Sequence, residues 1–223
     1  MTRTPRISVA LLGLSLLGAC SYNGGDVGDP LHRKFHWFSF VAGDDIAKSC
    51  DAASPDRYRL VYNAVWEQQI RIYEIDSARR VLRIRVSQPG NIATIRADDP
   101  LANWQAAETT VQLDDAAFAG LTATLAGDHA FGPAAVGLEL PSHSYYWAAA
   151  TCRQGQFTFT GWAYPSAAFD VAGFPAALAT LDPGRQTIPK AGPVPLDPTW
   201  EYQRSRGAVT EFSLRVGAHG MVQ

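Results

Sequence analysis

Val81-Leu82-Arg83-Ile84-Arg85-Val86-Ser87 decides the fold class of this 223-residue chain. Leu82, Ile84 and Val86 alternate with Arg83 and Arg85, and a period of two marks a strand with one apolar face. The pattern predicts the three aliphatic side chains turned inward and the two arginines turned outward. Asp76-Ser77-Ala78 supplies a turn before the strand and Pro89-Gly90 one after it. Proline fixes φ and glycine accepts φ > 0, as a type II turn requires. Links this short force neighbouring strands to run antiparallel, because a parallel pair needs a crossover of a dozen residues or more.

Outward from that strand the β signal continues in both directions. Residues 57–65 place Tyr58, Leu60 and Tyr62 on alternate positions, residues 68–75 keep a β-branched and aromatic character, and 91–96 and 108–113 extend the meander. Residues 145–153 and 156–164 read as a hairpin closed at Gly155. Residues 209–216 read as a last strand. Residues 35–42 (FHWFSFVA) are apolar on both faces, as in a central strand, and Gly43-Asp44-Asp45 breaks them off. Two short helices are expected. One is capped by Asp114, carries Phe118, Leu121 and Leu125 on one stripe and ends at Gly127, and the other covers residues 175–181. Residues 183–198 hold five prolines and are expected to lack regular structure. The expected fold is α+β: a mainly antiparallel sheet of meander and hairpins, sandwich- or barrel-like, with two short helices.

The amino-terminal segment follows different rules. Arg3 and Arg6 precede thirteen apolar or small residues, Ile7 to Ala19. Such a run suits a secretory signal and is too short to span a bilayer, which takes roughly 20 residues. Leu17-Gly18-Ala19-Cys20 resembles the lipobox of bacterial lipoproteins. The resemblance implies cleavage between Ala19 and Cys20, a thioether from the Cys20 thiol to diacylglycerol, and acylation of the new amino terminus. Ser21, in place of the aspartate that favours inner-membrane retention, points to the outer membrane. An ordinary signal peptide with a chance cysteine is the alternative. The chain then divides into a signal peptide at 1–19, a Gly- and Asp-rich flexible tether at 20–34, and a single mostly-β domain at 35–223.

Loss of Arg3 and Arg6 lowers Lys+Arg from 19 to 17 against 21 Asp+Glu, so the formal charge moves from −2 to −4. A mildly acidic chain has no basic footprint for nucleic acid. Of three cysteines, lipid on Cys20 would leave Cys50 and Cys152, which an oxidising periplasm favours as a disulfide. Two buried free thiols are the alternative.

Motifs that carry chemistry are sparse. There is no GxSxG elbow, HExxH, P-loop or dinucleotide fingerprint, so no cofactor is expected. His32 and His36 have the i, i+4 spacing of two metal ligands on a helix. The β character of the flanking residues argues against that geometry, and no metal is expected. Asp44 and Asp45 read as a solvated turn and helix cap. Ser142-His143-Ser144 places a base beside hydroxyls, with Asp128 or Glu139 as conceivable third members of a triad. Tyr145-Tyr146-Trp147 is the densest aromatic cluster, and Tyr146 and Trp147 could stack on cell-wall glycans if exposed. The reading leans away from an enzyme, toward a lipid-anchored envelope protein with a structural or partner-binding role. A hydrolase using His143 and a carbohydrate-binding module using Tyr146 or Trp147 are the alternatives.

Overall fold

The computed structural model describes residues 21–66, 68–88, 98, 101–184, 187–195, 197–208 and 210–222. Cys20, the Pro89-Gly90 turn and the expected strand at 91–96 lie outside these residues. Strands β1 (Arg57–Ala64), β2 (Gln69–Asp76), β3 (Val81–Ser87) and β4 (Ala107–Gln112) form the meander read from the sequence, every pair antiparallel. Further along come β5 (Glu139–Pro141), the hairpin β6 (Tyr145–Arg153) and β7 (Gln156–Ala163), then β8 (Ser213–Val216) and β9 (Met221–Val222). The hairpin joins the meander through β1 and β6, giving one six-stranded sheet in the order β4-β3-β2-β1-β6-β7. Its edges are β4 and β7, so the sheet is open and not a barrel. A second sheet has the order β5-β8-β9.

Register sets which side chains share a face. Leu60 lies opposite Tyr73 on one side and Ala149 on the other. Tyr58, Leu60, Tyr62, Tyr73, Leu82, Ile84, Trp147 and Trp162 therefore form one apolar face. Helices α3 (Asp115–Gly127) and α5 (Phe174–Leu181) cover it with Leu121, Leu125, Phe174 and Leu178. Both begin and end close to where the sequence predicts, and the Asp114 side chain accepts from Ala117 N at 2.7 Å as the expected cap.

The opposite face is also covered. Val61, Ile72, Tyr146, Ala148 and Phe159 pack beneath Trp37, Phe40, Val41 and Ile46, and beneath Leu140, Leu214 and Val216 of the small sheet. The arginines of β3 are on that face as expected, yet Arg85 is buried rather than turned to solvent. Two-sided cover is why.

Five elements depart from expectation. Residues 35–42 are not a strand but most of α1 (Pro30–Ala42). Asp29 caps it by accepting from His32 N at 2.7 Å, Pro30 opens its first turn, and Gly43 at φ 73° ends it. Helix α2 (Asp44–Lys48) follows at once. Helix α4 (Ala167–Val171) precedes α5, and α6 (Pro198–Ser205) starts where irregular chain was expected. Like α1, α6 opens on an Asp-Pro pair, with Asp197 accepting from Thr199 N and Trp200 N. The last strand, β8, is half as long as predicted.

The tether also differs. Tyr22 and Val27 are buried, the Tyr22 ring stands edge-on to Phe40 at 5.0 Å, and its hydroxyl donates to Gly25 O at 2.9 Å. The Gly and Asp residues there make turns and a cap, with Gly28 N donating to Asp26 Oδ1 at 2.7 Å. Composition suited a linker; two apolar side chains make it part of the domain.

Cys50 and Cys152 form a disulfide, as the sequence predicts, with Cα atoms 5.6 Å apart and a sequence separation of 102. It ties β6 to the segment between α2 and β1.

Candidate functional site

The site grows from a turn held on every side. Pro141 ends β5, and Ser144 N donates back to Pro141 O at 3.1 Å. The Asn63 side chain, buried on β1, donates to Ser142 O at 2.9 Å and to Ser144 O at 2.6 Å. Trp66 N and Val65 N donate to the same two carbonyls. Ser142 exchanges hydrogen bonds with Phe212 twice, through N to O at 2.8 Å and through Oγ accepting from N at 3.0 Å. His143, between these anchored neighbours, is carried on rigid backbone while its ring stays half exposed.

Around that ring lies a groove of about 380 Å³ walled by Val65, Gln68, Val194, Pro195, Asp197, Trp200 and Glu201. A neighbouring recess of about 250 Å³ shares five of the lining residues, His143 among them, and adds Trp66, Ser142 and Thr210. The indole of Trp200 is 6.1 Å from the imidazole, tilted by 40°. Nδ1 of His143 is 3.4 Å from Glu211 Oε1. Arg204 of α6 grips Glu211 with two bonds, Nε to Oε2 at 2.8 Å and Nη2 to Oε1 at 3.0 Å. Those bonds, with the Arg204 and His143 charges, hold the Glu211 carboxyl below the usual carboxylate range against slight desolvation. The result is a carboxylate-oriented imidazole beside an indole in a groove of mixed apolar and acidic walls.

Such an arrangement suits binding an apolar group while offering one hydrogen bond. The hydroxyls beside His143 are engaged elsewhere: Ser142 is buried, with its oxygen accepting from Phe212 N, and Ser144 Oγ donates to Tyr164 O at 3.3 Å. Neither conceivable third member of a triad is near. Asp128 caps α5, accepting from Gly173 N and Phe174 N at 2.8 Å each, and Glu139 pairs with Arg215. The carboxylate that does meet His143, Glu211, is 68 residues away in sequence and was not among the candidates.

Other candidates fall elsewhere. Tyr146 is 0% exposed and Trp147 2%. They are on opposite faces of the sheet, as strand alternation predicts. Trp147 borders a cleft of about 590 Å³ beside α4, α5 and residues 187–191. Tyr62 nevertheless stacks on its ring at 4.6 Å and Phe174 meets it edge-on at 5.0 Å. Neither ring offers a free face to a sugar, because both complete the core. His32 and His36 do share a helical face, since α1 is a helix after all, with ring centroids 4.5 Å apart beneath Tyr22. Among the described residues no group of three or more His, Cys, Asp or Glu is placed to hold a metal ion.

The densest charge in the described structure is structural in its contacts. Arg59 is 1% exposed and sits 3.7 Å over the Phe40 ring, bonded to Asp45 at 2.7 and 2.9 Å, to Glu74 at 2.9 Å and to Phe40 O at 2.7 Å. Glu74 also meets Arg85, which reaches Glu108 at 2.8 Å. Burial alone would raise the Asp45 and Glu74 carboxyls, but the arginines around each outweigh it and hold both below their ordinary values. A cleft of about 400 Å³ beside Glu74 has Arg57, Arg79 and Arg83 on its walls. Each already faces a carboxylate, Asp45, Asp76 and Glu108 respectively. No protein-family model, curated protein or solved structure matches the chain, so the site is read from its own geometry.

Proposed function

We propose that this chain is a lipoprotein of the bacterial envelope, held in the outer membrane through lipid on Cys20. Its domain faces the periplasm and has a non-catalytic, partner-binding role. The observation behind this reading is the Cys50–Cys152 disulfide. It uses two of the three cysteines and leaves Cys20, inside Leu17-Gly18-Ala19-Cys20, as the thiol free for lipid. The groove at His143 and Trp200 is the surface best built for a partner: rigid backbone, an indole, and an oriented polar group among apolar walls. Two or three acyl chains anchor stably, at about 0.8 kcal/mol for each buried CH₂.

Intact-mass and amino-terminal peptide analysis of the exported protein tests the anchor. Mature protein beginning at Cys20 and bearing diacylglycerol is expected. Protein that begins upstream of Cys20, or carries no fatty acid, refutes it.

The carboxylate-paired His143 favours a second reading, a lipid-tethered hydrolase with that imidazole as base. Turnover of ester, peptide or glycan substrates that disappears in His143→Ala would establish it in place of the first.

A further inference from the structure

Helix α1 buries one side and leaves another bare. Trp37, Phe40 and Val41 face the core, while Leu31 is 56% exposed, Phe35 69% and Phe38 37%. The three exposed side chains are at i, i+4 and i+7, within about 60° of arc on a helix that turns about 100° per residue. They form a continuous apolar stripe on the outside of the domain. Lys34 is exposed beside them, and α1 contains no acidic residue. An outward face of aromatic and aliphatic side chains flanked by a cation is the composition of an interfacial membrane helix.

The chain's own path says what covers this stripe. Tyr22 N donates to Ser39 Oγ at 2.7 Å, and the Tyr22 ring is buried against Phe40. Ser39 is one turn beyond Phe35, at the margin of the stripe. Cys20 precedes Tyr22 by only two residues, a span of at most about 7 Å. A lipid on Cys20 would enter the bilayer on the Phe35 side of the stripe, with no slack to hold the domain away from the surface.

Resting on the anchor proposed above, we infer that the Leu31–Phe35–Phe38 face of α1 docks on the bilayer that carries the Cys20 lipid. The domain then lies against the membrane with α1 beneath it. The ring contacts Phe38–Phe212–Trp66, at centroid distances of 5.1 and 4.9 Å, run from this face to the recess beside His143.

Labelled single-cysteine variants of the lipidated protein, in phosphatidylethanolamine–phosphatidylglycerol vesicles, test this. Because Cys50 and Cys152 are bonded and Cys20 carries lipid, Phe35→Cys offers one free thiol for an environment-sensitive nitrobenzoxadiazole dye. Val171→Cys, on α4 at a position 78% exposed, is the control. Lipids bearing spin labels in their acyl chains should quench the dye at 35 several-fold more than the dye at 171. Equal, weak quenching at both sites in protein shown by mass spectrometry to be lipidated would overturn docking and leave the anchor intact. A dye at 35 shielded from water but not quenched by lipid, in protein that cross-links to itself, would assign the stripe to a second copy and also overturn it. Absence of lipid on Cys20 would bring down the anchor and the docking together.

Discussion

Replacing Arg59 with methionine keeps an unbranched stem and removes the charged guanidinium on which two carboxylates converge. Arg59 makes five hydrogen bonds: two to Asp45, two to Glu74 and one to Phe40 O at the end of α1. Removing one member of a buried ion cluster costs about 3–5 kcal/mol, because the remaining charges stay desolvated without their partner. Asp45 retains Arg57 and Glu74 retains Arg85, which places Arg59→Met toward the lower end of that range. The pH dependence separates this from a packing loss. In the wild type both carboxyls are held below their ordinary values, so their contribution is complete above the unfolded values of about 4. It is lost only as pH falls through the lower folded values. Wild-type stability is therefore insensitive to these two groups between pH 5 and 7. In Arg59→Met burial pushes the carboxyls up, so lowering the pH from 7 to 5 protonates them and recovers part of the loss. Urea unfolding followed by tryptophan fluorescence, with the disulfide intact, measures both quantities. A loss under 1 kcal/mol at pH 7, or an equal loss at pH 7 and pH 5, would refute the reasoning.

Three further variants probe the scaffold. Cys50→Ala with Cys152→Ala opens a loop of about 100 residues and should lower stability by up to about 4.7 kcal/mol in the chain-entropy model, read from the urea midpoint; an unchanged midpoint would contradict it. Gly120 and Gly155 should respond oppositely to alanine. A Cβ at Gly120, in the exposed middle of α3, meets nothing within 4 Å, so Gly120→Ala should stabilise by about 0.5–1 kcal/mol. At Gly155 φ is +75° and a Cβ would lie 2.6 Å from Ala52 N, so Gly155→Ala should destabilise by more than 1 kcal/mol and push on the segment beside Cys50. Thermal melts showing a lower midpoint for Gly120→Ala, or an unchanged or higher one for Gly155→Ala, would contradict the corresponding assignment.

The strands were legible because their signal is local. Alternation in Val81–Ser87 and in the β6–β7 hairpin depends only on neighbours in sequence, and the Asp114 cap of α3 and the Pro175 first turn of α5 are equally short-ranged. Helix α1 misled because residues 35–42 are apolar on every side. That composition suits a buried strand as well as a helix with one face in the core and another bare, and periodicity alone does not separate them. The deciding mark was upstream, in Asp29-Pro30, and the same pair at Asp197-Pro198 announces α6.

At the candidate site, His143 was legible as a base beside hydroxyls. Its partner Glu211, the indole of Trp200 and the clamp from Arg204 were not, since they arrive from a helix and loop more than fifty residues away. The sequence by itself determined the antiparallel meander, the hairpin, two short helices and a cysteine parity that favours the disulfide. Each follows from backbone geometry over a few residues or from counting thiols. Only the tertiary structure decided that both faces of the sheet are covered, that Arg59 and Arg85 are drawn into the interior, and that Tyr22 is locked onto α1. Those outcomes depend on which distant segments compete for the same apolar surface, a competition that exists only once the chain has closed on itself.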